Sequence, residues 1–235
     1  MKIKKIILSR GRHGSITSDT LFPNATLVVP KSEIKEYKKT TNNEIHGISD
    51  NIMGLGNVRN YCLYTFKEDC LVMIDDDIQK LWVMTRLHGY AITDPTAIEH
   101  IVDNTAEMAQ QLNTSCFGFD QAWDVRKYDP FKPFSLCGWV GGVIGVIGRK
   151  KRFSNSFFKV DIDFCLQTLL NDRILLIDNR YAFVQKRIKG KGGNALFRTQ
   201  EKFDQEIDRL RKRWGKFYKY ERTATGETSK ILVER

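Results

Sequence analysis

No two of the five cysteines stand in a Cys-x-x-Cys pair, so nothing in the sequence suggests a zinc site. Cys62, Cys70, Cys116, Cys137 and Cys165 are odd in number, widely spaced and mostly set in apolar surroundings, which predicts free thiols and a cytoplasmic setting. A Gly-x-Gly-x-x-Gly dinucleotide fingerprint and a Gly-Lys-Ser/Thr P-loop are both missing, which argues against nicotinamide enzymes and P-loop kinases. The longest apolar stretch, Leu136 to Gly148, is broken by glycines and falls short of the roughly 20 residues that a spanning helix needs. No membrane partner is expected. The apolar run within Met1 to Leu8 is too short for a signal peptide and reads as a first strand. No internal repeat is evident.

What is present suits an ordinary soluble protein. With 41% hydrophobic and 28% charged residues over 235 positions, the chain has enough apolar material for one large α/β domain. Its 38 Lys and Arg against 28 Asp and Glu give a formal net charge of +10, which favours a polyanionic partner such as nucleic acid.

The chain is organised around Cys70-Leu71-Val72-Met73-Ile74-Asp75-Asp76-Asp77-Ile78. The apolar run reads as a buried strand, and open α/β sheets hold ligands at the carboxyl ends of their strands. Three adjacent carboxylates repel one another unless a cation sits among them, and oxygen ligands suit Mg²⁺ or Mn²⁺ shared with a phosphate. Alternation along an extended chain puts Asp75 and Asp77 on one side as the metal pair. Asp76 falls on the other, free to touch a ribose or sugar hydroxyl.

Other strands are predicted at Lys4–Leu8, Thr26–Val29, Ile78–Met84, Cys116–Ala122, Leu136–Ile147, Arg173–Ile177 and Tyr181–Ile188. Helices are expected from Ser32 to about Lys39, from Asn57 as cap through Phe66, and after Asp94-Pro95, Lys159 and Thr199. The segment Thr40 to Asp50 reads as a loop, and Thr223 to Arg235 as a polar tail or short strand. Strand, helix, strand, helix, strand, acidic triplet is a Rossmann-like order for a donor half of about 1–85, with about 86–220 left for an acceptor half and the last helix.

Ser9-Arg10-Gly11-Arg12, after the first strand, offers backbone N–H groups and guanidinium forks to a phosphate or nucleobase. Arg59 and Asn60 lie in the first turn of a helix, where a cation hints at a bound phosphate or an acidic partner. Arg149-Lys150-Lys151-Arg152, followed by Phe153 and Phe157-Phe158, suits a nucleic-acid backbone and an unstacked base. Asp161 and Asp163 open a helix, as capping residues or as acceptor-side bases. Lys189 to Asn194, which includes Lys191, has the composition of a lid over a diphosphate.

The whole pattern resembles the nucleotide-sugar glycosyltransferases of the GT-A fold. More closely, Ser9 to Arg12, Gly56 to Asn60, Met73 to Ile78, Asp161 to Phe164 and Gly192-Gly193 look like the TET-associated glycosyltransferases. These are phage enzymes that decorate hydroxymethylated pyrimidines in DNA. The resemblance implies a GT-A fold, a UDP-sugar donor, Mn²⁺ or Mg²⁺ on Asp75 and Asp77, donor contacts from Ser9, Arg10 and Arg59, and modified DNA as acceptor, and the residues themselves add Arg12, Asn60, Asp76 and Lys191 to the donor side. Were the chain phage-encoded, its site of action would be the host cytoplasm. Asp161 stands where that family carries a Glu-Asp pair, but Val160 replaces the glutamate, and Asp163 is the alternative base.

Three rival readings share some of these residues. A GT-A enzyme with a polysaccharide or protein acceptor would keep the donor half. A sugar nucleotidyltransferase would show a glycine-rich loop with a following lysine, which Gly11-Arg12-His13-Gly14 matches poorly. For a non-enzymatic nucleic-acid-binding protein, Asp75 to Asp77 would be a liability beside a phosphate backbone.

Overall fold

The structure, a computed structural model, describes residues 1–122, 124–186, 199–223 and 226–234. Strands β1 (Ile3–Leu8), β2 (Thr26–Pro30), β3 (Ile45–Ile48), β4 (Cys70–Asp75), β5 (Ile78–Met84), β6 (Gly89–Ile92), β7 (Cys116–Asp120), β8 (Phe134–Ser135), β9 (Val143–Ile147) and β10 (Leu176–Gln185) form one sheet. Their order is β3-β2-β1-β4-β9-β7-β10-β5-β6, with β8 on β10. The sheet is mixed. β3, β2, β1 and β4 run parallel, β9 is antiparallel to both β4 and β7, and β10 pairs parallel with β7 and antiparallel with β5.

β2, β4 and the second half of β1 are apolar because both of their faces are covered. Ile7, Val72 and Ile74 face helix α4 (Pro95–Gln111) through Ile98, Val102, Ala106 and Ala109. Ile6, Leu8, Leu71 and Met73 face helices α3 (Leu55–Thr65) and α5 (Val160–Asn171) through Cys62, Leu63, Val160, Phe164, Cys165 and Leu169. Each such side chain taken fully out of water contributes about 1.5–3 kcal/mol. A third cluster joins Ile162 and Leu166 of α5 to Ile207 and Leu210 of α6 (Gln200–Trp214) and to Tyr218 and Tyr220. Two short helices, α1 (Ser18–Leu21) and α2 (Ile34–Tyr37), flank the carboxyl ends of β1 and β2.

The expected α4 start is present: Asp94 accepts from the Ala97 N–H at 2.9 Å and Pro95 takes the first position. Several boundaries differ. The supposed loop of 40–50 contains β3, a four-residue edge strand in which His46 and Gly47 separate two isoleucines and only Ile48 is buried. Ser32 caps no helix; it bonds Asp50, and α2 begins only at Ile34. Helix α3 starts at Leu55, so Asn57 lies inside it, and a Cβ at Gly56 would collide with the Ser154 carbonyl. Of the stretch 136–147 only β9 is a long strand, because Gly142 turns the chain at φ 69° just before it. The two strands foreseen across Asp178-Asn179 are one strand, β10, whose register shifts between Asp178 and Ala182. Strand β6 gave no signal. The carboxyl-terminal segment forms a hairpin of β11 (Tyr218–Thr223) and β12 (Gly226–Ile231). Among the described residues no helix is long and apolar enough to cross a membrane.

Candidate active site

Strand β4 delivers its acidic end to the carboxyl edge of the sheet, and the next turn is clamped from α1. Ser18 Oγ donates to the Asp75 carbonyl at 2.5 Å and accepts from the Ile78 N–H at 2.9 Å, while the Thr17 N–H donates to the Asp76 carbonyl at 3.0 Å. The three carboxylates therefore splay apart in fixed directions. Asp76 is buried: Ser9 Oγ donates to its Oδ2 at 2.5 Å, and Arg12 Nη1 donates to its Oδ1 at 2.6 Å. Tyr37, whose hydroxyl lies 2.8 Å from Ser9 Oγ and accepts from the Arg12 N–H at 3.1 Å, completes this knot; burial pushes its phenol up to about 12. Ser9, Arg12 and Asp76 are thus brought together.

Asp75 faces the other way. Its Oδ2 accepts from Gln185 Nε2 at 2.9 Å and its Oδ1 stands 3.5 Å from Arg59 Nη2. Arg59 has no exposed surface, and its Nη1 donates to Asp161 Oδ1, so a single buried guanidinium joins β4 to the start of α5. Burial lowers the Arg59 pKa, with Asp75 opposing; burial raises that of Asp75, with Arg59 opposing. Asn60 supports this arrangement without facing it. It exchanges two 2.9 Å hydrogen bonds with the backbone of Phe153, whose ring lies 5.1 Å from the Arg59 guanidinium carbon.

Asp77 shares Arg12 with Asp76. Its Oδ1 is buried without a hydrogen-bond partner, and Arg12 lies 3.7 Å from its Oδ2. Burial, then the charges of Asp75 and Asp76, push its pKa up to about 7. An orphaned carboxylate oxygen beside a second carboxylate is a fitting place for a hard cation. Among the described residues no cluster of three or more His, Cys, Asp or Glu side chains is placed to hold a metal. Any cation here would draw the rest of its oxygens from phosphate and water.

Several residues expected at the site are elsewhere. Arg10 reaches away to the turn before α3, donating to the Ile52 carbonyl at 2.9 Å. Asp163 is fully buried against α6, bonded by Arg213 at 3.1 Å and by Trp214 Nε1 at 2.9 Å. It is an anchor for that helix rather than a second base. Half of the basic run 149–152 is spent inside the fold. Arg149 donates to the carbonyls of Leu63, Phe66 and Glu68 around the end of α3, and Lys151 bonds Ser115 and Asp172. Arg152 donates to the Arg149 and Lys151 carbonyls, and Lys150 is exposed. Lys191 and the Gly192-Gly193 pair lie outside the described residues. Val160, in the place of the expected glutamate, is fully buried among Phe164 and its neighbours, where a carboxylate would lack a partner.

Three contributors escaped sequence reading. Gln185, a polar residue directly after the apolar run Tyr181 to Val184, carried a usable signal. Ser18 and Tyr37 carried none, because their partners are distant in sequence.

A mixed α/β sheet with this acidic edge is the GT-A glycosyltransferase fold. Residues 3–193 match the TET-associated glycosyltransferase family, and the chain belongs to it. No curated protein matches it in sequence. Among solved structures it is similar to S. aureus TarS 1–349 in complex with UDP-GlcNAc, at 13% identity and TM-score 0.53 over 89% of this chain and 65% of that one. It is also similar to glucosyl-3-phosphoglycerate synthase from Mycobacterium tuberculosis in complex with Mn²⁺, UDP and glucosyl-3-phosphoglycerate, at 11% identity and TM-score 0.55 over 98% and 87%. This chain spans less than two thirds of the TarS chain, and likenesses at these identities define the fold alone.

Proposed function

We propose that this protein transfers a sugar from a nucleotide-sugar donor, a UDP-sugar, to the hydroxyl of a hydroxymethylated pyrimidine in DNA. The observation that carries the reading is the Asp75–Arg59–Asp161 chain, which ties the carboxylate edge of β4 to a second carboxylate at the start of α5. Family membership supports the donor chemistry and suggests the DNA acceptor. The five cysteines, odd in number and widely spaced along the sequence, accord with work in a reducing cytoplasm.

Asp75 and Asp77 would hold Mn²⁺ or Mg²⁺, which when bound neutralises charge developing on a leaving diphosphate. Arg12, half-buried beside Asp76 and Asp77, adds positive charge on the same side. Asp161 is held through Oδ1 by Arg59, which leaves Oδ2 to take the acceptor's proton. In the transfer, a bond forms between the acceptor oxygen and the anomeric carbon, the bond from that carbon to the diphosphate oxygen breaks, and UDP departs with its electron pair. A base inside a duplex must be extruded to reach this edge.

One observation favours a different acceptor, a polysaccharide or protein: of the 149–152 run, the clearest basic patch in the sequence, Arg149 and Lys151 are consumed by internal bonds. Mass spectrometry of hydroxymethylated DNA incubated with the protein, Mn²⁺ and a panel of nucleotide sugars decides between them. Added hexose or pentose mass on the DNA is expected; donor hydrolysis without any mass added to the DNA would overturn the DNA reading.

A further inference from the structure

One spot on the carboxyl edge of the sheet collects side chains from three separate segments. A Cβ added at Gly141 would lie 3.3 Å from Cζ3 of Trp139, 3.5 Å from Oε1 of Gln121 and 3.6 Å from Oδ2 of Asp161. Gly141 has no positive φ, so its backbone does not require glycine there. A methyl there would already touch all three side chains, so the bare glycine is what lets a group in the adjoining room approach the point on which they converge.

The polarity of that room is fixed. Gln121 Nε2 donates to the carbonyls of Phe119 at 2.9 Å and Gly141 at 3.2 Å, so both amide protons are committed and Oε1 is presented as an acceptor. The reversed amide would set oxygen against two carbonyl oxygens. Asp161 Oδ1 is taken by Arg59, and Oδ2 faces the same spot. Two acceptors and a half-buried indole therefore surround it. A complementary ligand brings a flat ring and two hydrogen-bond donors.

Resting on the sugar-transfer reading above, we propose that Gln121, Gly141 and Trp139 form the subsite for the acceptor ring and read its exocyclic group. Trp139 covers the ring, Gln121 Oε1 accepts from an exocyclic amine, and Asp161 Oδ2 accepts from the hydroxymethyl hydroxyl beside that amine. Hydroxymethylcytosine carries an amine at that position. Hydroxymethyluracil carries a carbonyl, which would meet the Gln121 carbonyl with no proton between them. The site selects the cytosine ring by the orientation of one carboxamide.

The test compares the parent with Gln121→Leu and Gly141→Ala, using Mn²⁺, UDP-glucose and UDP-N-acetylglucosamine. Acceptors are single-stranded oligonucleotides bearing one 5-hydroxymethylcytosine or one 5-hydroxymethyluracil. The parent should favour the cytosine by about 10- to 100-fold in kcat/KM. Gln121→Leu should fall towards parity through a higher KM for the cytosine, and Gly141→Ala should raise KM for both. Retention of the melting shift given by Mn²⁺ plus UDP certifies that each variant is folded. Variants with the parent's preference and acceptor KM would overturn the subsite while leaving sugar transfer to DNA standing. A parent indifferent to the base, or preferring uracil, would overturn it even if neither variant folds. A parent that hydrolyses donor but glycosylates neither oligonucleotide would overturn the DNA reading, and the subsite with it.

Discussion

Arg59 Nη2 stands 3.5 Å from Asp75 Oδ1, and the guanidinium that carries it has no contact with solvent. A cation so placed holds two carboxylates of different elements at a set separation. Replacing Arg59 with methionine keeps much of the volume but strands Asp75 and Asp161. Removing one partner of a buried pair costs about 3–5 kcal/mol. Urea unfolding should register that loss, and a change below about 1 kcal/mol would show that the two carboxylates do not depend on Arg59.

Asp77→Asn preserves shape and removes a charge that burial and two neighbouring aspartates oppose. The metal-free variant should melt at or slightly above the parent temperature. Its stabilisation by Mn²⁺ plus UDP should vanish, since a ligand stabilises only what it binds. Sugar transfer should drop by several orders of magnitude. A full melting shift in the variant would remove Asp77 from the metal pair.

Asp172 supplies a pH dependence. Burial pushes its carboxyl up, but the hydrogen bonds from Lys151 and Ser115 prevail and hold it below the usual carboxylate range. A depressed pKa stabilises the fold above the unfolded-state value of about 3.9, and that stability is lost as pH falls through the folded-state value. Asp172→Asn should therefore cost about 1.5–3 kcal/mol at pH 7 and progressively less in acid below about pH 4. Calorimetric melts across that range check it; a penalty independent of pH would contradict it.

Within the basic run, position should matter more than charge. Arg149→Ala strips donors from three carbonyls around the end of α3 and should cost about 1–3 kcal/mol of stability, read as a lower melting temperature. Lys150→Ala removes the same charge from an exposed site and should change stability by less than about 0.5 kcal/mol. Equal effects would mean that net charge, not the carbonyl contacts, is what Arg149 supplies.

Much of the fold was legible because its strands obey a simple pattern. β2, β4 and the Ile6 to Leu8 half of β1 are doubly covered and read as apolar runs, and α4 advertises its start with Asp94 and Pro95. β3 was missed because an edge strand pairs through backbone and leaves little apolar trace. The acidic triplet was visible, but not its division of labour. Alternation gave Asp76 a side of its own; it could not show that Ser9 and Arg12 already occupy both of its oxygens. Asp163 and the run 149–152 misled for a common reason. Charge in a sequence suggests solvent or ligand, whereas here Arg213, Trp214 and backbone carbonyls, brought near only by folding, absorb it.

The first turn of α5 presents Asp161 to the sheet edge and Asp163 to α6, only two residues apart. A fragment cut at residue 193 would contain every position of the family match. It would nonetheless uncover Ile162 and Leu166 and leave Asp163 without the cations that neutralise it. The smallest unit able to stand alone is therefore longer than the shared homology, and a library of shortened chains should yield soluble protein only when the last helix and hairpin are kept.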